Sequence, residues 1–141
     1  MGRLLFYLLW PLVWFYAPLQ VRVRVIIQRK GQVLLVKNWF GPHQWELPGG
    51  GLKFGESLQA AASREVNEEL SILKPAGHYT LINKEPKIVS KNGLLMRNAY
   101  LSVHIEDQPI EIVSSREIVE YKWFDKDSDQ VKTLAKVAKM L

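Results

Sequence analysis

Residues 50–72 read GGLKFGESLQAAASREVNEELSI, and this stretch constrains the fold more than any other. Leu58, Ala62, Val66 and Leu70 recur every fourth position, marking the apolar stripe of a helix. Ser57 stands just before it, where a hydroxyl can cap the first free backbone N–H groups. Beside the stripe, Glu65, Glu68 and Glu69 fall at i, i+3 and i+4, so three carboxylates share one face. Like charges at these spacings cost ~0.2–0.5 kcal/mol per pair, and folding gives no reason to crowd them. A divalent cation removes that cost. Oxygen donors alone suit Mg²⁺ or Mn²⁺ rather than zinc, which prefers nitrogen and sulfur. Gly49, Gly50 and Gly51 precede the helix and, lacking a Cβ, let backbone come close to such an ion. The helix must therefore dock through its stripe while its acids point elsewhere.

The remainder of the chain alternates strands with turns. Val21-Arg-Val-Arg-Val25 alternates strictly and runs into Ile26-Ile27, which predicts a strand with one solvated face. Arg29-Lys30-Gly31-Gln32 turns it into a returning strand, Val33 to Lys37, and NWFGPHQ (38–44) forms a loop. Further strands are expected at Tyr79–Asn83, Lys87–Ser90, Leu94–Ile105 and Val119–Phe124. A final amphipathic helix begins at Asp127-Ser128 and carries Leu134, Val137, Ala138 and Leu141 on its apolar face. This interspersion predicts a mixed sheet flanked by helices. The length of 141 residues suits one such domain with its own core. With no cysteine, the chain has no disulfide framework, no thiol nucleophile and no thiolate metal ligand, as suits a reducing compartment. A net charge of +5 fits a polyanionic partner (nucleotide, nucleic acid or anionic lipid) and equally fits ordinary solubility charge.

Residues 1–19, MGRLLFYLLWPLVWFYAPL, stand apart from the domain at 20–141: one charge, Arg3, and six aromatics. Three readings stay open. A signal peptide has the basic start and apolar stretch but a poor cleavage site at Phe15-Tyr16-Ala17-Pro18. A membrane-spanning helix needs roughly 20 apolar residues, whereas Leu4 to Leu19 is shorter and broken by Pro11. An aromatic-rich helix lying in a membrane interface, or packed on the domain, accommodates both the length and the tryptophans. A cytoplasmic protein, with membrane association open through residues 1–19, is the resulting expectation.

The order Gly50, Glu56, Arg64, Glu65, Val66, Glu68, Glu69, Ile72 resembles the Nudix box, G-x5-E-x7-R-E-U-x-E-E-x-G-U with U a bulky aliphatic residue. Ser71 is the one departure, standing where the box has glycine. The lead-in Trp45-Glu-Leu-Pro-Gly49, the strand Gln32 to Lys37 and the strand Glu120 to Phe124 are similar to the family's flanking segments. The resemblance implies an α/β/α sandwich with a mixed β-sheet, to which the apolar N-terminal helical segment is an addition. It implies Mg²⁺-dependent (or Mn²⁺-dependent) hydrolysis of a pyrophosphate linkage in a nucleoside diphosphate bonded to a further group. Nucleotide triphosphates, ADP-ribose and nucleotide sugars belong to that substrate class. By the same resemblance the Gly49 carbonyl, Glu65, Glu68 and Glu69 surround the metal, with Glu56 a further ligand or a supporting acid. Arg64 orients Glu65 and offsets part of the acidic charge. The catalytic base is Glu65 or a glutamate outside the box, with Glu117 and Glu111 the candidates.

Substrate contacts are expected from the loop before the box. Lys37 could reach a phosphate, Trp39 and Phe40 could stack on a base, and His43 lies beside them. Trp45 is read as base-stacking or as core, and His78 and His104 as structural. Pro86 lies fourteen residues after Ile72, near the spacing of one subgroup, but no companion residue supports that assignment. Two rival functions remain: a nucleotide-binding module without activity, which typically lacks one of these acids, and an enzyme acting on RNA 5′ ends, which the positive charge would suit. The sequence specifies no oligomeric state.

Overall fold

The computed structural model describes residues 2–12, 20–83, 85–91, 94–106, 109–110 and 117–138. Glu111 and residues 13–19 therefore lie outside the described residues. The chain starts with a short helix, α1 (Gly2–Leu8), and enters the domain at β1 (Val21–Arg29) and β2 (Gln32–Asn38). A two-residue strand, β3 (Trp45–Glu46), leads to α2 (Leu58–Leu70). Then follow β4 (Thr80–Leu81), β5 (Lys87–Lys91), β6 (Leu94–His104), β7 (Ile118–Asp125) and α3 (Asp129–Ala138). All seven strands join one mixed sheet, in which β1 runs parallel to β6 and the other pairings are antiparallel.

The two sheet faces carry separate apolar clusters. On one, the α2 stripe (Ala61, Ala62, Val66, Leu70) packs against Val23, Val25, Ile27, Leu34, Val36 and Leu101. On the other, Val131 and Leu134 of α3 pack with Ile26, Val33, Leu35 and Tyr100. Trp45 joins this second cluster and meets Phe124 edge-on, with ring centroids 5.1 Å apart, so it is a packing residue. Helices on both faces of a mixed sheet make the expected α/β/α sandwich.

One expectation about β1 needs correction. β1 does not have a solvated face. It is an interior strand, with β6 on one edge and the glycine loop on the other, and on its polar face Arg24 is only 8% exposed. β1 and β2 form the antiparallel hairpin that the turn at 29–32 implies, though not along their whole length. They pair only next to their turn, at Gln28↔Val33 and Arg29↔Gln32, then diverge. The segment 45–52 fills the gap. Trp45 and Glu46 pair with β2, while Pro48 and Gly50 carbonyls accept hydrogen bonds from the Val25 and Val23 amides of β1 at 2.9 and 2.8 Å. The backbone is thus satisfied while two strands are prised apart, and the site forms at that opening.

The expected strand at 79–83 contracts to Thr80–Leu81. Tyr79 turns into the core instead, and the Asn83 side chain accepts a hydrogen bond from the Tyr100 amide at 2.8 Å. The α2 helix begins as expected at Ser57, whose hydroxyl accepts from the Ala60 amide at 3.1 Å. It ends on Ser71, which adopts the left-handed conformation at φ 56° that glycine would occupy more cheaply.

Candidate active site

The glycine loop passes so close to β1 and α2 that two of its residues admit no side chain. A Cβ on Gly49, whose φ is +137°, would lie 2.1 Å from the Val23 carbonyl oxygen. A Cβ on Gly50 would lie 2.5 Å from the Glu65 carboxyl carbon. These contacts bring the loop against the acidic face of α2. The Gly49 amide then donates to Glu69 Oε2 at 3.1 Å, fixing that carboxylate.

Arg64 organises the outer part of the same face. It meets Glu56 with two parallel hydrogen bonds, Nε to Oε1 at 2.8 Å and Nη2 to Oε2 at 3.0 Å. It also donates to Glu65 at 2.7 Å, to Glu68 at 3.2 Å and to the Gly51 carbonyl at 3.0 Å. One planar guanidinium thereby ties three acids and the loop into a fixed arrangement, the geometry in which charge-assisted hydrogen bonds are strongest. The Arg64 hydrogen bond holds the Glu56 carboxyl down at about 2.

Deeper in, the electrostatics reverse. Glu65 and Glu69 are buried, and together with Glu117 they place carboxylate oxygens within 4.8 Å of one another. Burial first, and then the Glu65 charge, push Glu69 up to about 8. Glu65 is raised by burial and partly restrained by Arg64. Three converging carboxylates of which two are buried form an oxygen-only donor set that fits a hard divalent cation, and such an ion would hold them ionised. Glu117 enters from the residue before β7. Its carbonyl accepts from the Trp39 amide at 2.6 Å, which ties the loop before the box to the strand that ends the sheet.

These groups line a cavity of about 600 Å³. Gly49, Arg64, Glu65, Glu68, Glu69, Glu117 and Phe40 all border it. Glu56 does not, and acts on it through Arg64. The half-exposed Glu68 carboxylate is bound to Arg64 and stands outside the converging trio. Lys37, Trp39 and His43 are not among the lining residues. Lys37 instead pairs with Glu120 at 3.1 Å and lies 4.3 Å over the Trp45 ring, and His43 is exposed with φ 52°.

Trp10, Arg22, Arg24, Lys53 and Met96 also line the cavity and were not singled out as site residues in the sequence. The arginines had a readable signal, since an i, i+2 pair on a strand shares a face. Arg24 is held by the Leu47 carbonyl at 3.2 Å and lies 3.7 Å from Glu46. Arg22 has a buried Nε without a hydrogen-bond partner. The Arg24 charge, and then burial, bring Arg22 down to about 10. Trp10, from the N-terminal segment, forms part of the cavity wall.

Known proteins place this arrangement. The NUDIX domain family matches residues 18–139. An RNA pyrophosphohydrolase of Shewanella sp. (strain ANA-3) is 41% identical over 100 residues, which are 71% of this chain and 50% of that protein. The Actinobacillus pleuropneumoniae (serotype 5b) RNA pyrophosphohydrolase is 39% identical over 76 residues, 49% of this chain and 36% of that one. The chain thus spans half the length or less of these curated relatives. A MutT NUDIX hydrolase from Burkholderia pseudomallei has a similar structure, with a TM-score of 0.67 and 25% identity over 83% of this chain and 95% of that one. A C. elegans Ap4A hydrolase shares the fold, with a TM-score of 0.62 and 22% identity over 85% of this chain and 95% of that one. With its family match covering the sheet, the glycine loop and the acid-bearing helix, this chain belongs to the Nudix family.

Proposed function

We propose that the chain is a divalent-metal-dependent pyrophosphohydrolase that cleaves a nucleoside diphosphate bonded to a further group. One observation carries this reading: Glu65, Glu69 and Glu117 converge within 4.8 Å at the wall of a cavity large enough for a nucleotide. A binding module has no use for a costly buried acidic cluster, and none of the expected acids is missing. When bound there, Mg²⁺ supplies a lowered water pKa and charge neutralisation at the phosphate oxygens.

The chain's own residues account for the rest. Glu69 is anchored by the Gly49 amide, and Glu65 by Arg64, so neither swings away when substrate enters. Water attacks one phosphorus, the bond from that phosphorus to the bridging oxygen breaks, and the leaving phosphate keeps the electron pair. The water proton passes to a carboxylate. Glu65 and Glu117 are the candidates to take it: Glu65 is held by Arg64, and Glu117 is exposed. Phe40 offers an apolar surface for a base.

The test is Mg²⁺-dependent cleavage of dNTPs, ADP-ribose, dinucleoside polyphosphates, nucleotide sugars and triphosphorylated RNA, with the nucleotide and phosphate products separated by ion-exchange chromatography. Turnover of one class, lost on Glu69→Gln, is the expected outcome. Silence across the panel from folded, metal-binding protein would overturn the hydrolase reading. The relatives named RNA pyrophosphohydrolase favour an RNA 5′ end as a second reading. It predicts binding that weakens steeply with salt as phosphate contacts are screened.

A further inference from the structure

Beside the acidic cluster the cavity wall carries Arg22 and Arg24, whose charges act on Glu65 and Glu69 without a direct hydrogen bond to either. Arg22 and Arg24 sit two apart on β1, so their side chains emerge on the same face. They differ in what holds them. Arg24 has the Leu47 carbonyl and Glu46. Arg22 has a buried Nε with no acceptor, and among the described residues no ion pair holds its guanidinium. A buried donor left unsatisfied opposes folding, the more so when charged, and a second cation alongside adds to that cost. The charges of Glu46, Glu65 and Glu69 offset part of that cost, and an anionic ligand at the donor left without a partner would offset more. The backbone around Arg22 is fixed: Val21 accepts from the Leu52 amide at 3.0 Å and Val23 donates to the Gly50 carbonyl at 2.8 Å. Arg22 therefore stands in register with the glycine loop, facing the cavity that Glu65 and Glu69 also border.

We propose that Arg22 is a substrate-positioning residue that binds the second phosphate of the diphosphate, the one not held at the carboxylate trio. The assignment rests on the hydrolase reading above and deepens it. A guanidinium presents two parallel N–H donors to two phosphate oxygens, and a phosphate placed between Arg22 and Arg24 would remove the repulsion that holds Arg22 down. Arg22 thereby fixes which phosphorus meets the attacking water.

The test compares wild type, Arg22→Gln and Arg22→Lys by calorimetry, with imidodiphosphate and Mg²⁺ as the probe, and by melting without ligand. Losing a hydrogen-bonded charge contact should weaken imidodiphosphate binding about 10- to 100-fold in Arg22→Gln. Arg22→Lys should recover part of that affinity, since it restores the charge without the fork. The ligand-free melting temperature of Arg22→Gln should equal or exceed that of wild type, because the Arg24 repulsion is gone. A structural arginine would do the opposite, so a lowered melting temperature would overturn the proposal. Equal affinity in wild type and Arg22→Gln would overturn it alone. Absence of imidodiphosphate binding by the wild type would overturn the hydrolase reading and this assignment with it.

Discussion

Helices α1 and α2 make an instructive pair. Both are short and both carry apolar side chains at i, i+4 spacing: Leu4, Leu8 and Leu12 on or just beyond α1, and Leu58, Ala62, Val66 and Leu70 on α2. In α2 that stripe meets the sheet, and Val66 and Leu70 are fully buried. In the N-terminal segment the leucines face outward, with Leu4, Leu8 and Leu12 each more than two-thirds exposed. Burying an aliphatic side chain is worth roughly 1.5–3 kcal/mol, so α2 is locked by its stripe and the N-terminal segment gains no such hold from its leucines. That difference is functional. Only a locked helix can hold Glu65 and Glu69 against their own repulsion. Among the described residues of the N-terminal segment, Trp10 borders the site. Among the described residues no helix is long and apolar enough to cross a membrane.

The largest effect should come from the acid that the α2 scaffold holds most tightly. Glu69→Gln removes a cation ligand while keeping an oxygen to accept from the Gly49 amide. Turnover should fall at least about 10²-fold, the factor matching several kcal/mol of lost charge stabilisation, with the circular dichroism spectrum unchanged. Activity within threefold of wild type would break the link between α2 and chemistry.

Next is the lock itself. Leu70→Ala should destabilise the protein by about 2–5 kcal/mol, the range for opening a cavity at a fully buried leucine, as read by urea denaturation. A loss under 1 kcal/mol would mean that the stripe is not what holds the helix.

A pH experiment separates the two halves of the acidic face. Glu69 is raised to about 8, so its protonated form is the favoured one in the folded chain. The stability it contributes is complete below its ordinary value of 4.5 and is lost as pH rises through 8. Metal-free wild type should therefore lose on the order of a few °C relative to Glu69→Gln between pH 5 and 8, and Mg²⁺ should abolish the difference. Glu56 runs the other way: lowered to about 2, it stabilises above 4.5 and is lost as pH falls from 4.5 toward 2. Parallel melting curves for wild type and Glu69→Gln across that range would refute the burial argument.

Much of α2 could be read from residue spacing alone, because cap, stripe and acids all obey one helical period and agree with one another. Ser71 was equally legible, since a helix end asks for a left-handed residue and the chain supplies a non-glycine there. The carboxylate trio was legible only in part. Glu65 and Glu69 lie one turn apart, whereas Glu117 reaches them because β7 pairs with β2, a long-range contact that local spacing does not encode. Arg22 and Arg24 were misread for a related reason. Alternation predicts a wet face, but the insertion of residues 45–52 between β1 and β2 turned that face into a cavity wall. Lys37, named as a possible phosphate contact, pairs with Glu120 across the β2–β7 pair.

Ser71→Gly gives a smaller, opposite-signed effect than the core changes. A non-glycine residue at φ 56° is strained by roughly 1 kcal/mol, so the variant should gain roughly 0.5–1 kcal/mol while its turnover stays the same. A destabilised Ser71→Gly would mean that the serine hydroxyl, and not only its backbone, serves the cap.

The smallest stability change belongs to the N-terminal segment, and it sharpens the comparison most. Leu4→Ser, Leu8→Ser and Leu12→Ser should each shift stability by no more than about 0.5 kcal/mol, the usual size for exposed positions away from packed features. Trp10, which is partly buried at the cavity wall, is the residue of this segment to test there, by Trp10→Ala. Its effect should appear at the site, as a changed KM for whichever substrate the panel identifies, since the indole forms part of the cavity wall. If instead the leucine variants melted several degrees lower, the segment would be packed as α2 is, and its exposed stripe would need a partner surface within the folded protein. If Trp10→Ala left KM untouched, the contact between the N-terminal segment and the cavity would be incidental to substrate binding.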